Sequence, residues 1–385
     1  MKATRLFTSF FESEKAGGIV LLCCTLISIG IANSYWQEDY VALWHYTIGG
    51  QSLEHLINDG LMTVFFLMIG LELEREIYIG ELSDIKNALL PISGAIGGIM
   101  LPAILYYVFN NHTDFENGVG IPMATDIAFA IGILSLLGSK VPTSLKVFLT
   151  ALAVIDDLGA IIIIALFYSQ TIHWGYLGLA FGIFAVLLAM NKFKIYILWP
   201  YLIGGVFMWY FMEHSGVHAT ITGVLLAFAI PFQKGADNSI SQQLLHWLHK
   251  PVSFVILPIF ALANTAIILD FSANETLLPT YALGILLGLV VGKPLGITLF
   301  SYLSVQAKAA QLPADLNWKQ ILGAGILGGI GFTMSIFITL LAFEDETIIN
   351  NAKLYIILAS LLAGIIGLFY LKRVLKDYKS PEADN

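Results

Sequence analysis

Long apolar stretches, each closed off by a short polar or glycine- and proline-bearing connection, follow one another along nearly the whole chain. Crossing the hydrocarbon layer of a bilayer takes about 20 apolar residues in a helix. Twelve stretches meet that length, at about 16–33, 59–79, 87–109, 119–138, 143–169, 174–191, 195–212, 216–232, 251–270, 280–304, 320–343 and 352–371. Met1 to Lys15 is polar and weakly amphipathic and runs into the apolar Ala16 to Ala32, which reads as an uncleaved first span rather than a signal peptide. The pattern predicts an all-α polytopic membrane protein, residues 1–385 forming a single integral membrane domain with a polar tail over 372–385. One connection differs. Residues 40–53 carry β-branched and aromatic side chains running into Gly49-Gly50, which reads either as a β-hairpin or as an irregular aromatic loop at headgroup level. A lone hairpin is marginal in water, so pairing with a second copy would stabilise it.

Composition agrees with the pattern. The chain is 57% hydrophobic and 12% charged, with a mean hydropathy of +0.80, whereas soluble domains carry about 25% charge. The net charge of −8 comes largely from the ends and loops and says nothing of nucleic acid, but the lack of a basic patch with interleaved aromatics argues against such a partner. Cys23 and Cys24, adjacent in an apolar run, read as small packing residues and offer neither a disulfide framework nor a cysteine metal site. Positive charge then fixes an orientation. With both termini cytoplasmic, the cytoplasmic segments hold 17 of the 19 Lys and Arg residues, and the opposite loops (34–58, 110–118, 170–173, 213–215, 271–279 and 344–351) hold none.

Two spans carry interruptions. The fourth contains Gly120, Pro122, Thr125 and Asp126, and the eleventh contains Gly323, Gly325, Gly328, Gly329 and Gly331, followed by Phe332-Thr333-Met334-Ser335. Glycine inside a helix costs about 0.5–1 kcal/mol relative to alanine, so five argue against a regular helix, although glycines also make close-packing faces. Position favours interruption: spans 3–5 and 10–12 form two triplets of opposite orientation, and the interrupted member is the middle one in each. Broken helices at matching places in inverted repeats mark the midplane site of a secondary transporter.

Intramembrane charge points the same way. Asp156 and Asp157 interrupt the apolar fifth span, where each carboxylate costs about 2.5–3.5 kcal/mol at the bilayer centre. Consecutive helix positions point about 100° apart, so a single partner does not serve both, and a hydrated cavity is the economical solution. Carboxylates this close resist ionising together and share their protons as a pair. Such a site holds either protons or a small hard cation, and competition between the two for the same oxygens couples their fluxes. Lys293, in Gly292-Lys293-Pro294 of the tenth span, needs one of the acids as its partner. Asp126 and Lys293 are also placed to offset the partial charges of broken-helix ends. Asp59 and Glu72, near span ends, read as packing ion pairs.

These residues carry a resemblance. Thr125-Asp126, Ile155-Asp156-Asp157-Leu158-Gly159-Ala160, Gly70-Leu71-Glu72-Leu73-Glu74-Arg75-Glu76, Gly216-Val217-His218-Ala219-Thr220, Gly292-Lys293-Pro294 and Gly331-Phe332-Thr333-Met334-Ser335-Ile336 resemble the motifs of the NhaA family of bacterial Na+/H+ antiporters over essentially the whole chain. That family is itself a type case of the inverted-repeat rule, so the repeat reading and the resemblance are not independent. The resemblance implies a twelve-helix inner-membrane transporter with crossed, discontinuous fourth and eleventh helices and electrogenic exchange of cytoplasmic Na+ or Li+ for external H+, activated at alkaline pH. It implies that Asp157 and Asp156 carry cation and protons with Thr125 as a further ligand, that Asp126 balances charge at the crossing, and that Lys293 pairs with Asp156. Glu72, Arg75 and Glu76 would be the pH-sensing group, and the first outside loop a dimerising hairpin. The sequence departs from the family in its regulatory region, with Leu244-Leu245 before His246 and Glu74 between Glu72 and Arg75. The family's alkaline threshold therefore does not carry over. His218 reads either as a motif residue or as a packing or capping histidine. His246 and His249 lack a nearby third ligand for a metal site.

An intramembrane aspartyl protease would need two carboxylates sharing one proton, which three acids and a lysine frustrate. A channel would not need matched broken helices, and a symporter for an organic solute would need more uncharged polar groups around the site. No enzyme activity and no cofactor are expected.

Overall fold

A computed structural model describes residues 2–168, 171–233, 239–269 and 278–376, with the side chains of 2–15, Ile85, Lys86, Ser139 and Leu166 left out of that description. The connections expected over 170–173 and 271–279, Lys234, and the tail beyond Lys376 fall wholly or partly outside it.

The described chain is helical almost throughout. Helix α1 spans Lys2–Ala32, α2 Gln37–His45, α3 Leu53–Tyr78, α4 Ile85–Asn110, α5 Ile127–Ser135 and α6 Thr143–Phe167. Then come α7 Trp174–Lys192, α8 Leu198–Glu213, α9 Ile221–Ala229, α10 Ile240–Asn264 and α11 Thr280–Gln306. The last are α12 Trp318–Gly328, α13 Phe332–Ala342 and α14 Glu346–Val374. Among the described residues, eight helical segments are long and apolar enough to cross a bilayer, or up to ten if two bent helix pairs count as one each.

Several helices begin earlier than hydropathy predicts because polar caps extend them. Ser52 accepts from His55 N and starts α3 ahead of residue 59, Ser239 accepts from Gln242 N and starts α10 ahead of residue 251, and Asp345 caps α14. The eighth expected span, 216–232, is helical only over the nine residues of α9, since Gly216 turns the chain at φ +82°. The outside loop also corrects the expectation. Its aromatic half is the helix α2, and the hairpin shrinks to Thr47–Ile48 (β1) against Gln51–Ser52 (β2), paired Thr47 to Ser52 and Ile48 to Gln51. Gly49 and Gly50, at φ +65° and +94°, make the two-residue turn that requires positive φ at both positions. The helix wins upstream because Tyr40 and Trp44, four apart, fall on one face with their rings edge-on at 5.7 Å. The Tyr40 hydroxyl is 3.0 Å from Ser28 Oγ and 3.2 Å from Leu262 O, anchoring α2 to α1 and α10.

Two features of α11 set the position of Lys293. A Cβ on Gly296 would lie 2.1 Å from Gly97 O, and one on Gly97 equally close to Gly296 O, so α11 and α4 meet backbone to backbone. Just upstream, Gly288–Gly292 forms a widened π-type turn. Pro294 has no amide hydrogen to continue the regular ladder, and such bulges recur at functional positions. Cys24 is half-buried but Cys23 faces outward, so the packing role expected for the pair holds only for Cys24.

Candidate ion-binding site

The fourth and eleventh stretches are both broken. A 3-10 segment, Glu116–Met123, ends at Pro122-Met123, the backbone is extended at Ala124 and Asp126, and α5 begins at Ile127. The other stretch parts between α12 and α13, which are bent 47° to each other. The breaks are bonded to one another. Asp126 N donates to Ile330 O at 2.6 Å, the Thr125 hydroxyl lies 2.9 Å from Gly328 O, and Ser335 Oγ donates to Ile121 O at 2.7 Å. Both readings of the glycine cluster hold. Gly323 and Gly325 are close-packing positions, against Leu371 and Pro294, while a Cβ at Gly329 would fall 2.4 Å from Leu289 O inside the break.

Opposite charges sit at opposite kinds of helix end. Asp126 caps α5 by accepting from Phe129 N at 3.0 Å, and its other oxygen accepts from Thr333 N at 3.1 Å and Thr333 Oγ1 at 2.5 Å in the first turn of α13. One carboxylate therefore faces two helix N-termini, each carrying about half a positive unit. Lys293, fully buried, donates to the Met123 carbonyl at the end of the 3-10 segment, and is 2.6 Å from Thr125 Oγ1 and 2.8 Å from Asp156 Oδ2.

Helix α6 brings the acid pair to the same place. Asp156 Oδ2 is held by Lys293 and by Thr125 Oγ1 at 2.8 Å. Asp157, one residue on and rotated away, is as fully buried, yet neither of its oxygens has a hydrogen-bond partner among the described residues, nor does Asp156 Oδ1. Native proteins rarely leave buried carboxylate oxygens without a donor or a cation. Buried carboxylate oxygens left without donors are ligands of the kind a small hard cation takes, and they equally accept protons. The hydroxyl of Thr125 has one proton for two acceptors, so its bonding shifts with whatever occupies the carboxylates.

The other predicted residues lie elsewhere. Glu72, Arg75 and Glu76 form their own cluster at the end of α3, with Arg75 Nη2 at 3.2 Å from Glu72 and 2.8 Å from Glu76. Glu74, beside them, accepts from Ser241 Oγ at 2.9 Å and ties α3 to α10. Asp59 lies 3.2 Å from His55, whose ring is 44% exposed. His218 Nε2 lies 2.8 Å from Tyr168 O, which favours the capping reading. Three partners were not assigned from sequence: the carbonyls of Met123 and Gly328, which any residue type could supply, and Thr333, whose place two residues past Gly331 was the available signal.

Known proteins share this architecture. The family model described as Na+/H+ antiporter 1 matches residues 8–371. The chain is 65% identical to the Na(+)/H(+) antiporter NhaA of Flavobacterium psychrophilum, with 98% of each chain covered. It is 60% identical to that of Cytophaga hutchinsonii, covering 99% of each, and 57% identical to that of Dechloromonas aromatica, covering 96% of each. The fold resembles that of the sodium proton antiporter MjNhaP1 from Methanocaldococcus jannaschii, at a TM-score of 0.57 over 98% of this chain and 99% of that one, with 13% identity.

Proposed function

The chain belongs to the Na+/H+ antiporter 1 family, and from that premise we propose that it exchanges Na+ or Li+ for H+ at the Asp156–Asp157 pair. It is a bacterial inner-membrane secondary transporter rather than an enzyme, and the exchange is electrogenic and pH-regulated. The observation that carries the site is Asp157: fully buried, without a partner for either oxygen among the described residues, and next to an acid already clamped by a lysine.

The working cycle rests on charge balance. With a proton on Asp157 and the Asp156–Lys293 pair closed, the buried group is neutral, a state the low-dielectric interior tolerates. A cation entering between the carboxylates needs Asp157 ionised, which releases one proton. It also competes with the Lys293 ammonium for Asp156, since both are positive and both seek the same oxygen. Release of Lys293 from Asp156 leaves an unpaired buried ammonium, which sheds its proton. The second proton makes the exchange electrogenic. Thr125 turns its hydroxyl lone pairs to the cation once Lys293 withdraws. Asp126 keeps the two helix N-termini compensated throughout, so the crossing can tilt as a unit and open the site to alternate sides.

The same reading takes twelve spans in inverted repeats, with both termini and the 372–385 tail cytoplasmic, as the positive-charge alternation supports. It takes the hairpin of loop 40–53 as the contact of a homodimer, because a two-stranded ribbon this short gains stability from added strands. It takes Glu72, Arg75 and Glu76 as the pH-sensing group, an ion-pair cluster at one end of α3. Calorimetric titration tests the site: purified protein at alkaline pH should bind Na+ and Li+, and Asp157→Asn should bind neither. Unchanged Na+ binding by that variant would move the site elsewhere.

A further inference from the structure

A second cluster of ligand-type side chains lies at the hairpin end of the molecule, away from the buried acids. His55 and Asp59, one turn apart at the start of α3, meet Glu213, the last residue of α8 and 158 positions away in sequence. His55 Nε2 is 3.2 Å from Asp59 Oδ2 and 3.3 Å from Glu213 Oε1, and the three candidate ligand atoms all lie within 4.8 Å of one another. They border a cavity of about 370 Å³ whose wall also includes Glu54, Asn58 and His218.

We propose that His55, Asp59 and Glu213 form a binding site for a divalent transition-metal ion, with Zn2+ as its best match. Zinc bonds histidine nitrogen and carboxylate oxygen at about 2.0–2.2 Å, which sets the ligand-to-ligand edge of a tetrahedron at about 3.3–3.6 Å. Two of the three edges are already within about 0.1 Å of that span. The cavity leaves room for water as the fourth ligand. One nitrogen and two monodentate oxygens suit zinc, whereas Mg2+ and Ca2+ demand six or more oxygens. Charge agrees. Binding metal displaces the imidazole proton, after which the two carboxylates supply two negative charges, and the nearby Lys353 is directed to Glu54 at 3.6 Å. His55 is 44% exposed, so the site is open to solution.

Metal there would staple α3 to α8 beside Phe337, Leu340 and Leu341 of α13, the helix whose first turn holds Asp126. Zinc added on the hairpin side is therefore expected to slow exchange reversibly. Binding is the primary test and requires no transport. Zinc chloride is titrated calorimetrically into chelator-stripped, tag-free protein in detergent, with thermal unfolding followed in parallel. Wild-type protein should bind one zinc ion tightly and gain unfolding temperature. His55→Ala and the milder Glu213→Gln should each lose about tenfold or more in affinity and lose the thermal gain, while unfolding like wild type in chelator. Identical titrations for wild type and both variants would assign the zinc to other histidines and overturn the proposal, as would the absence of binding in wild type. Equal competition by excess Mg2+ would reduce the cluster to a nonspecific anionic site and overturn it as well.

Discussion

Replacing Asp126 should damage the helix crossing by an amount that depends on which of its two oxygens is lost. Oδ1 serves one helix, accepting from Phe129 N, and Oδ2 serves the other, accepting from Thr333 N and Thr333 Oγ1. All three partners donate, so the carboxyl group acts purely as an acceptor. Alanine removes two N-terminal caps, worth about 0.5–2 kcal/mol each. It also removes a hydroxyl bond to a charged acceptor, worth about 1.5–3 kcal/mol. The expected loss is about 2.5–7 kcal/mol, or roughly 3–9 °C in unfolding midpoint for a chain of this length. Asparagine keeps one acceptor and presents its amide hydrogens to the remaining donors, so it should cap α5 or α13 but not both and lose about 1–2 kcal/mol. Thr333→Val removes only the hydroxyl and should fall near asparagine. The assay is thermal unfolding in detergent, read by intrinsic fluorescence. The predicted order of damage is alanine well beyond asparagine and valine. Asp126→Ala unfolding at the wild-type temperature would refute the reasoning, since it would mean that neither N-terminus depends on this carboxylate.

Other residues give sharper or simpler readouts. Lys293→Ala leaves Asp156 with Thr125 alone, and breaking a buried pair in this way costs about 3–5 kcal/mol; thermal ramps should show the loss greatest in alkaline buffer, where no proton neutralises Asp156, and unchanged stability across pH would argue against the ion pair. Gly329→Ala places a methyl group 2.4 Å from Leu289 O and should destabilise by about 1–3 kcal/mol in the same assay. Tyr40→Phe should cost about 1 kcal/mol by freeing α2 from Ser28 and Leu262, visible as faster amide exchange over Gln37–His45.

What could be read from the chain was whatever local pattern encodes. Glycine and proline at the two breaks and adjacent acids in an apolar helix are local and marked their elements correctly, whereas of the twelve apolar runs the one over 216–232 is helical for only nine residues. Lys293 was legible because an ammonium in such a run must find an acid. The errors also have local causes. Residues 40–46 have strand-like composition, yet the spacing of Tyr40 and Trp44 lets a helix dock on α1 and α10, and tertiary contact outweighed propensity. Helix starts at Ser52 and Ser239 were missed because hydropathy does not register caps. The partners of Lys293 and Thr125 at Met123 and Gly328 are backbone carbonyls and leave no trace in residue identity. Glu213 carries no local sign that it meets His55, because only the folded chain brings α8 against the start of α3.

In the proposed cycle everything turns on Asp157 as the carrier of the exchanged cation and proton. Its most direct test is transport by reconstituted protein in vesicles with an acid interior and a trapped pH probe, challenged with external Na+, Li+ or K+ at several pH values. Wild-type protein is predicted to alkalinise the interior with Na+ and Li+ but not K+, and Asp157→Asn, verified as folded, to give no response. Retained Na+-driven proton flux in that variant would contradict the assignment.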